Sequence, residues 1–278
     1  MTDRLFTILI WSVAIILAIL SLWILGELIW QGYPHLSWSF LTTEPSNAGR
    51  DGGIASIIAA TLLILAITLL TTISIGIGTA VWLTEYSQHT SRVAHTIRLS
   101  LDILAGVPSI VFGLFGYAFF SIYLGLGFSI LSGGLTLTCM ILPIFTRTCE
   151  SGLSQVNTDW RQGAAALGIT RFSALSHILL PAIAPAITAA LLLGIGRATA
   201  ETAALIFTSG YVDRMPESIM DSGRTLAVHI YDLSMNVTGG DKAAYATALV
   251  LIVMMIIINT AAILISDRWK NKRIITNP

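Results

Sequence analysis

Arg197 and Glu201 stand four residues apart in LLLGIGRATAETAALIF (residues 191–207), with aliphatic residues on both sides. An ionisable residue inside an apolar run is expensive to keep, and function is the ordinary reason for keeping one. The guanidinium presents a planar fork of donors that matches an oxyanion and stays charged at any working pH. Glu201 can neutralise that cation while no anion is present, and Thr199 and Thr202 bring hydroxyls to the same turn. Read as continuous helix, the stretch predicts an i,i+4 pair. The alternative is a structural ion pair that holds this segment against a neighbour. Arg before Glu is the weaker order for such a pair, so local helix stability is a poor reason for it.

The elements that must position these residues are apolar runs. The chain has 278 residues, 55% of them hydrophobic and 11% charged, whereas soluble domains carry about a quarter charged residues. Six apolar runs read as spans: about Leu5–Ile29, Ile54–Leu83, Leu99–Tyr123, Leu135–Phe145 with room to extend on either side, Pro181–Phe207 and Ala243–Ser266. The first is too long for the apolar part of a signal peptide and reads as an uncleaved anchor. Gly125, Gly127, Gly133 and Gly134 blur the boundary between the third and fourth runs. The expected fold is an all-α polytopic membrane protein with six transmembrane helices.

Orientation follows from the basic residues. With the N-terminus inside, Arg4, Arg92, Arg98, Arg147, Arg161, Arg171, Arg268, Lys270, Lys272 and Arg273 lie on the cytoplasmic side. Only Arg50, Arg214, Arg224 and Lys242 lie opposite, so the positive-inside rule predicts N-in, C-in. In this frame Arg197 is sixteen residues beyond Pro181, roughly 24 Å along a helix, in the outer half of the membrane.

Several function classes are excluded or weakened. None of the three lysines follows a glycine, so there is no phosphate-binding loop for ATP. No G-x-S-x-G, H-E-x-x-H or paired intramembrane carboxylates appear. His35, His89, His95, His177 and His229 are scattered over both sides, which argues against a metal site. Zero net charge gives no sign of a nucleic-acid partner, and Cys139 and Cys149 share one apolar segment and form no disulfide framework. Gly76 and Gly78 read as close helix packing. Asp102 reads as the surface partner of Arg98, Glu85 and Tyr86 as interface anchors, Arg147 and Glu150 as shaping the start of the next loop, and Pro108 as a possible break in the third run. The outer stretch RTLAVHIYDL sets Leu226, Ile230 and Leu233 on one helical face, a cap for the pathway.

The longest cytoplasmic stretch is QVNTDWRQGAAALGITRFSALSHILLPAIAPAI. Asp159 with Gln162 suggests a capped helix start, Gly168 a left-handed helix end, and Thr170 the start of a second helix running to Pro181. Gly163, Ala164, Ala165 and Ala166 leave the first helix smooth enough to dock another protein. This stretch resembles the E-A-A-x3-G-x9-I-x-L-P loop of ABC importer permeases. Ala164, Gly168, Ile178, Leu180 and Pro181 match it without a gap, with Gln162 for the glutamate and Gly163 for the first alanine. Further segments, GVPSIVFGLFG (106–116), IGIGTAVWLTEY (75–86) and GRATAETAALIFTSG (196–210), resemble the phosphate-specific permeases, and of their two subunits the PstA type.

The resemblance implies a type I ABC importer permease fold and a subunit that moves inorganic phosphate across the bacterial cytoplasmic membrane. It implies a PstC-type second permease, two ATPase subunits that carry the ATP, and a periplasmic phosphate-binding protein, with membrane lipid around the spans. It places a transport-critical Arg and Glu in the fifth span. Glu201 can accept a hydrogen bond from a phosphate that still carries a proton; sulfate carries none near neutrality. Residues 1–53 are then an anchor helix and first periplasmic loop, and 267–278 a cytoplasmic tail. Residues 54–266 are the permease core, with a coupling loop at about 151–180 and a periplasmic segment at about 211–242. The rival readings are an ABC permease for sulfate, molybdate or an amino acid, and a self-sufficient channel or intramembrane enzyme, which would need no docking helix.

Overall fold

The computed structural model describes residues 2–87 and 91–274; His89 and the last four residues of the tail lie outside this range. Helix α1 (Thr2–Gly32) leads through the short α2 (Trp38–Thr42) to a hairpin of two two-residue strands, Pro45–Ser46 antiparallel to Asp51–Gly52. Helix α3 (Ala55–Val81) follows and widens into a π turn at Trp82–Tyr86. Helices α4 (Arg92–Ala105) and α5 (Ser109–Gly116, continued as a π turn through Tyr123) follow, then α6 (Ile130–Ser154) and α7 (Thr158–Ala166). Beyond them come α8 (Arg171–Ala174), a π turn (Leu175–Leu179), α9 (Leu180–Ala182), α10 (Ala184–Thr199), α11 (Ala203–Ile206), α12 (Leu226–Met235) and α13 (Asp241–Ile274).

Among the described residues four helices, α1, α3, α6 and α13, are long and apolar enough to cross a membrane, and the total is six if each of two bent pairs is one span. Both bends correct the expected spans. The third run is not one helix: α4 and α5 meet at 108° across Gly106–Pro108. Proline has no N–H to donate and clashes with the preceding turn, so the chain turns there. The fifth run bends by 65° near Ile183 and breaks again after Thr199. By contrast, the fourth run extends well past its apolar centre, since Gly133 and Gly134 lie inside α6 while Gly125 and Gly127 make the turn with φ +70° and +62°.

Helix α6 is the pillar of the bundle. Its Leu137, Met140, Ile141 and Phe145 are fully buried in one core with Ile64 and Leu65 of α3 and Ile187 and Ala190 of α10. It is also the least apolar of the four long spans, with a mean hydropathy of 1.4 against 2.8 and 2.9 for α1 and α13, whose most apolar windows are unburied by the chain. A span enclosed by protein need not satisfy lipid, and small or hydroxylated residues let helix backbones approach. Thr68 donates to the Gly134 carbonyl at 3.1 Å, the Thr71 and Thr138 hydroxyls meet at 2.5 Å, and those of Ser121 and Ser132 at 2.8 Å.

The two glycines of IGIG separate on inspection. A Cβ on Gly76 would drive into the Phe145 ring and lie 3.3 Å from Thr146 Oγ1, while Gly78 has open space around it. Close packing therefore holds for Gly76 alone. Gly76→Ala should cost about 1–3 kcal/mol through overpacking against Phe145. Gly78→Ala should be neutral or stabilising by up to about 1 kcal/mol through helix propensity. Thermal unfolding of the two variants in detergent micelles measures both.

Candidate functional site

A break in the backbone decides the geometry around Arg197. Helix α10 ends at Thr199 with Ala200 as its C-cap, and α11 opens with Thr202 at its N-cap. Arg197 occupies the last turn of α10, where unpaired carbonyls carry partial negative charge and favour a cation. Glu201 lies past the break, and its Oε1 accepts the Ala204 backbone N–H at 3.1 Å, capping α11. Each charge thus answers its own helix end. The expected i,i+4 ion pair is not formed, because the two residues do not share a helix. Among the described residues Arg197 makes no ion pair or hydrogen bond, and it is half-buried.

The two threonines differ. Thr202 is half-buried and its hydroxyl has no partner among the described residues. Thr199 is buried and donates to the Ile195 carbonyl at 2.7 Å, so its proton is committed to the helix. The half-buried donors and acceptors near the break are therefore Arg197, Glu201 and Thr202.

At the opposite end, the loop folds as helix, glycine turn, helix. The cap of α7 is Asn157, whose side chain accepts the Asp159 N–H at 3.0 Å, and not the Asp159–Gln162 box. The helix closes in a Schellman motif: Gly168, at φ +70°, donates to the Ala165 carbonyl, and Ile169 donates to that of Ala164, both at 3.0 Å. Thr170 then caps α8 through the Ser173 N–H. Gln162, Gly163, Ala165 and Ala166 face outward, followed by the exposed Leu167 and Phe172, while Ala164 is buried. Ile178 and Leu180 pack against the main core and Pro181 is half-buried, so these three hold the loop to the bundle.

Ion pairs fasten this end, and apart from the i,i+3 pair Arg147–Glu150 sequence spacing did not reveal them. Arg161 of α7 grips both oxygens of Glu85, Nη2 donating to Oε1 at 2.7 Å and Nε to Oε2 at 3.2 Å, and also donates to the Leu153 and Val156 carbonyls at 2.8 Å each. Glu85 is thus a partner of the loop helix as well as the end of α3. The buried Glu150 takes Arg98 at 2.5 Å and Arg147 at 2.6 Å, and Arg147 reaches Asp102 at 2.9 Å. The expected Arg98–Asp102 pair is replaced by these contacts because α4 packs across α6. Arg161 and Glu85 are 76 positions apart, too far for any local pattern to join them. Among the described residues no group of three or more His, Cys, Asp or Glu could hold a metal ion.

A bundle of four to six spans, with one span broken beside an uncommitted arginine and a smooth helix at its loop end, is the build of a polytopic membrane protein. The chain belongs to the family of binding-protein-dependent transport system inner membrane components, which matches residues 73–274. It is 32% identical to the probable ABC transporter permease protein YqgI of Bacillus subtilis, over 96% of this chain and 94% of that one. It is 35% identical to the phosphate transport system permease protein PstA of Xylella fastidiosa, over 66% of this chain and 63% of that one. It is 32% identical to PstA 2 of Mycobacterium bovis, over 70% and 64%. Among solved structures, a bacterial ABC transporter for the acidic polysaccharide alginate shares the fold with a TM-score of 0.67 at 15% identity, over 95% of each chain. The inward-facing MetNI methionine transporter gives 0.58 at 17%, over 77% of this chain and 96% of that one. The protein is therefore a multi-pass inner-membrane subunit with the type I importer permease fold. It is the permease of an ABC transporter and not an enzyme: its family works with ATPase subunits and a substrate-binding protein.

The segment between α11 and α13 is held by a buried polar cluster. Arg224 pairs with Asp232 at 3.0 Å, donates to the Tyr211 carbonyl at 2.9 Å and lies 3.3 Å from His229 Nδ1. His229 is wholly buried beneath Gly49 of the hairpin loop, and its Nε2 has no partner. Burial, then the neighbouring Arg224, pushes its pKa down from 6.5 to about 4, against weaker opposing pulls from Asp232 and Asp213. Unfolded, the imidazole takes up its proton near pH 6.5; folded, only near 4. The stability tied to neutral His229 is thus complete above pH 6.5 and is lost as pH falls through that window toward 4. Unfolding temperature measured across this range should fall more steeply for the wild type than for His229→Gln, which has no imidazole to protonate. Equal slopes would show that His229 contributes nothing to acid lability.

Proposed function

We propose that this chain is the PstA-type subunit of an ATP-driven importer of inorganic phosphate, with Arg197, Glu201 and Thr202 on the translocation pathway and Thr199 supporting them. The observation that carries the reading is the half-buried guanidinium at a helix break in an apolar segment, with no partner among the described residues. A cation locked in a salt bridge must lose its partner before it meets an anion; Arg197 has none to lose. The names borne by the PstA relatives support phosphate as the anion, and Glu201 can accept a hydrogen bond from the protonated oxygen that phosphate retains and sulfate lacks.

In the proposed assembly the chain lies N-in, C-in beside a PstC-type permease and receives phosphate from a periplasmic binding protein. Residues 1–53 form the anchor and first outer loop, 54–266 the transporting core, and 267–278 the inner tail. Two ATPase subunits serve the permease pair, one against the outward face of α7, where a cavity of ≈ 370 Å³ opens between Gln162, Ala165, Ile169 and Arg171. Arg161 and Glu85 then join the docked helix to the end of α3, giving nucleotide-driven motion a stiff route into the bundle.

Ala165 is exposed, so Ala165→Glu should leave the fold intact while preventing the ATPase from seating. The variant should copurify with markedly less ATPase and show no transport; an intact, transporting complex would remove the docking role from α7.

Labelled-phosphate uptake in cells tests the pathway. Arg197→Lys keeps the charge and loses the fork, so uptake should weaken; Arg197→Ala should reduce it about ten- to hundred-fold, the worth of charge-assisted bonds. Removing Glu201 should impair uptake and also cost about 0.5–2 kcal/mol as a lost helix cap. The decisive variant is Arg197→Leu with Glu201→Leu. It should reach the membrane and assemble normally but take up no phosphate. Wild-type uptake by it would reduce both residues to packing roles, and competition by sulfate equal to that by phosphate would overturn the substrate.

A further inference from the structure

We infer a binding site for one anionic phospholipid where α1, α2, α3 and α13 meet, with its headgroup phosphate between Arg50 and Lys242 and an acyl chain along α13. The inference rests on the membrane location of the chain and not on the proposed substrate. Two neighbouring cavities carry it. The first, ≈ 410 Å³, is polar and lined by His35, Arg50, Asp51 and Lys242, floored by Phe40 and Ala243. Among the described residues Arg50 and Lys242 have no ion-pair partner. The one acidic side chain of the lining, Asp51, already accepts the Asn47 amide at 2.7 Å, which leaves the cations facing the cavity.

The second cavity, ≈ 440 Å³, is an apolar groove lined by Leu36, Trp38, Leu41, Ile58, Val250 and Val253, among others. The two linings are consecutive in the chain at His35–Leu36 and Phe40–Leu41, and Lys242, Val250, Val253 and Ile257 recur at helical spacing along one stripe of α13. From Lys242 to Val250 the helix advances about 12 Å, the scale that separates a lipid phosphate from the upper half of its chains. The level is right as well. Trp30 and Trp38 are each 79% exposed here, and tryptophans mark the headgroup zone of a membrane protein. The same end holds the last residues of α1 and the first of α3 and α13, where spans leave hydrocarbon. A cationic socket directly above an apolar groove at this depth matches a phospholipid in charge and shape, and no soluble anion needs the groove.

The test uses the full chain, purified in mild detergent with equal phosphatidylglycerol and phosphatidylcholine, and native mass spectrometry to count retained lipids. Each basic residue near an anionic headgroup contributes about five-fold, so phosphatidylglycerol should be preferred by roughly twenty-five-fold. Arg50→Ala with Lys242→Ala should bring the ratio close to one; both residues are exposed, so the fold is spared. Val250→Trp fills the groove and should lower retention of both lipids. A preference unchanged in the double variant would overturn the site. So would phosphatidylglycerol retention unaffected by Val250→Trp, which would leave a headgroup contact without a chain. If the double variant kept its lipid preference but failed to capture the substrate-binding protein, the cations would form a protein contact and the lipid reading would fall.

Discussion

Hydrocarbon offers no water to a helix end, so every interruption of a membrane-spanning segment must be answered by groups of the protein itself. Three interruptions shape this chain, and each is answered differently. At Gly106–Pro108 the N–H groups of Gly106 and Val107 turn back to the Ile103 and Leu104 carbonyls, and α4 swings away by 108°. At Ile183 the backbone bends where Pro185 has no N–H to return to the Pro181 carbonyl, while Ile183 still donates to Leu179 and Ile187 to Ile183. At Ala200–Thr202 the ladder fails, and side chains take over: Glu201 caps the helix that begins, while Arg197 occupies the end of the helix that stops. Among the described residues, only the third interruption leaves a charge without a partner.

Close packing flanks that break on both sides. Gly194 sets α10 against Ile141 of α6, where a Cβ would come within 2.9 Å, and Gly113 sets α5 against the backbone of Ala204 in α11 at 2.8 Å. The pieces on both sides of the gap thus each pack closely on a neighbour, α10 on the Ile141 side chain and α11 through its own backbone at Ala204. The two ends of the bundle are tied by different forces. The loop end relies on the Arg161–Glu85 fork and on Glu150 between Arg98 and Arg147. The hairpin end relies on Arg224 with Asp232 and Tyr211, and on burial of His229 under Gly49.

Much of the fold was legible in the sequence, for a physical reason. Lipid-facing helices such as α1 and α13 must be apolar all round, so their limits follow from hydropathy alone. The same reasoning under-read α6, of which only Leu135–Phe145 looks like a span, because its Ser132, Thr136, Thr138 and Thr146 face protein. Gly168 and Thr170 were legible because glycine and threonine have distinct local tasks at helix ends. Arg197 and Glu201 stood out by type, but the break between them did not: ALLLGIGRATAETAALIF holds no proline, and its helix-forming residues conceal the change of direction at Ala200. Pairs such as Arg161–Glu85 and Arg147–Asp102 join distant elements and depend on packing that no local spacing encodes.

The separation of Arg197 from Glu201 bears on how a conduit differs from a receptor. A buried ion pair has to be opened before an anion can bind, and the carboxylate left behind then repels the newcomer. Here the arginine is steadied by helix carbonyls and the carboxylate by a backbone N–H, so neither depends on the other for its partner. An anion arriving at the guanidinium displaces water and loosens at most a dipole contact. A fork of two charge-assisted hydrogen bonds contributes about 3–6 kcal/mol, which corresponds to dissociation constants from millimolar to tens of micromolar. That is enough to favour an oxyanion over a neutral solute and too little to hold it, and discrimination is left to the binding protein upstream. On the proposed pathway, the helix break provides a cation within the membrane that attracts its substrate and still releases it.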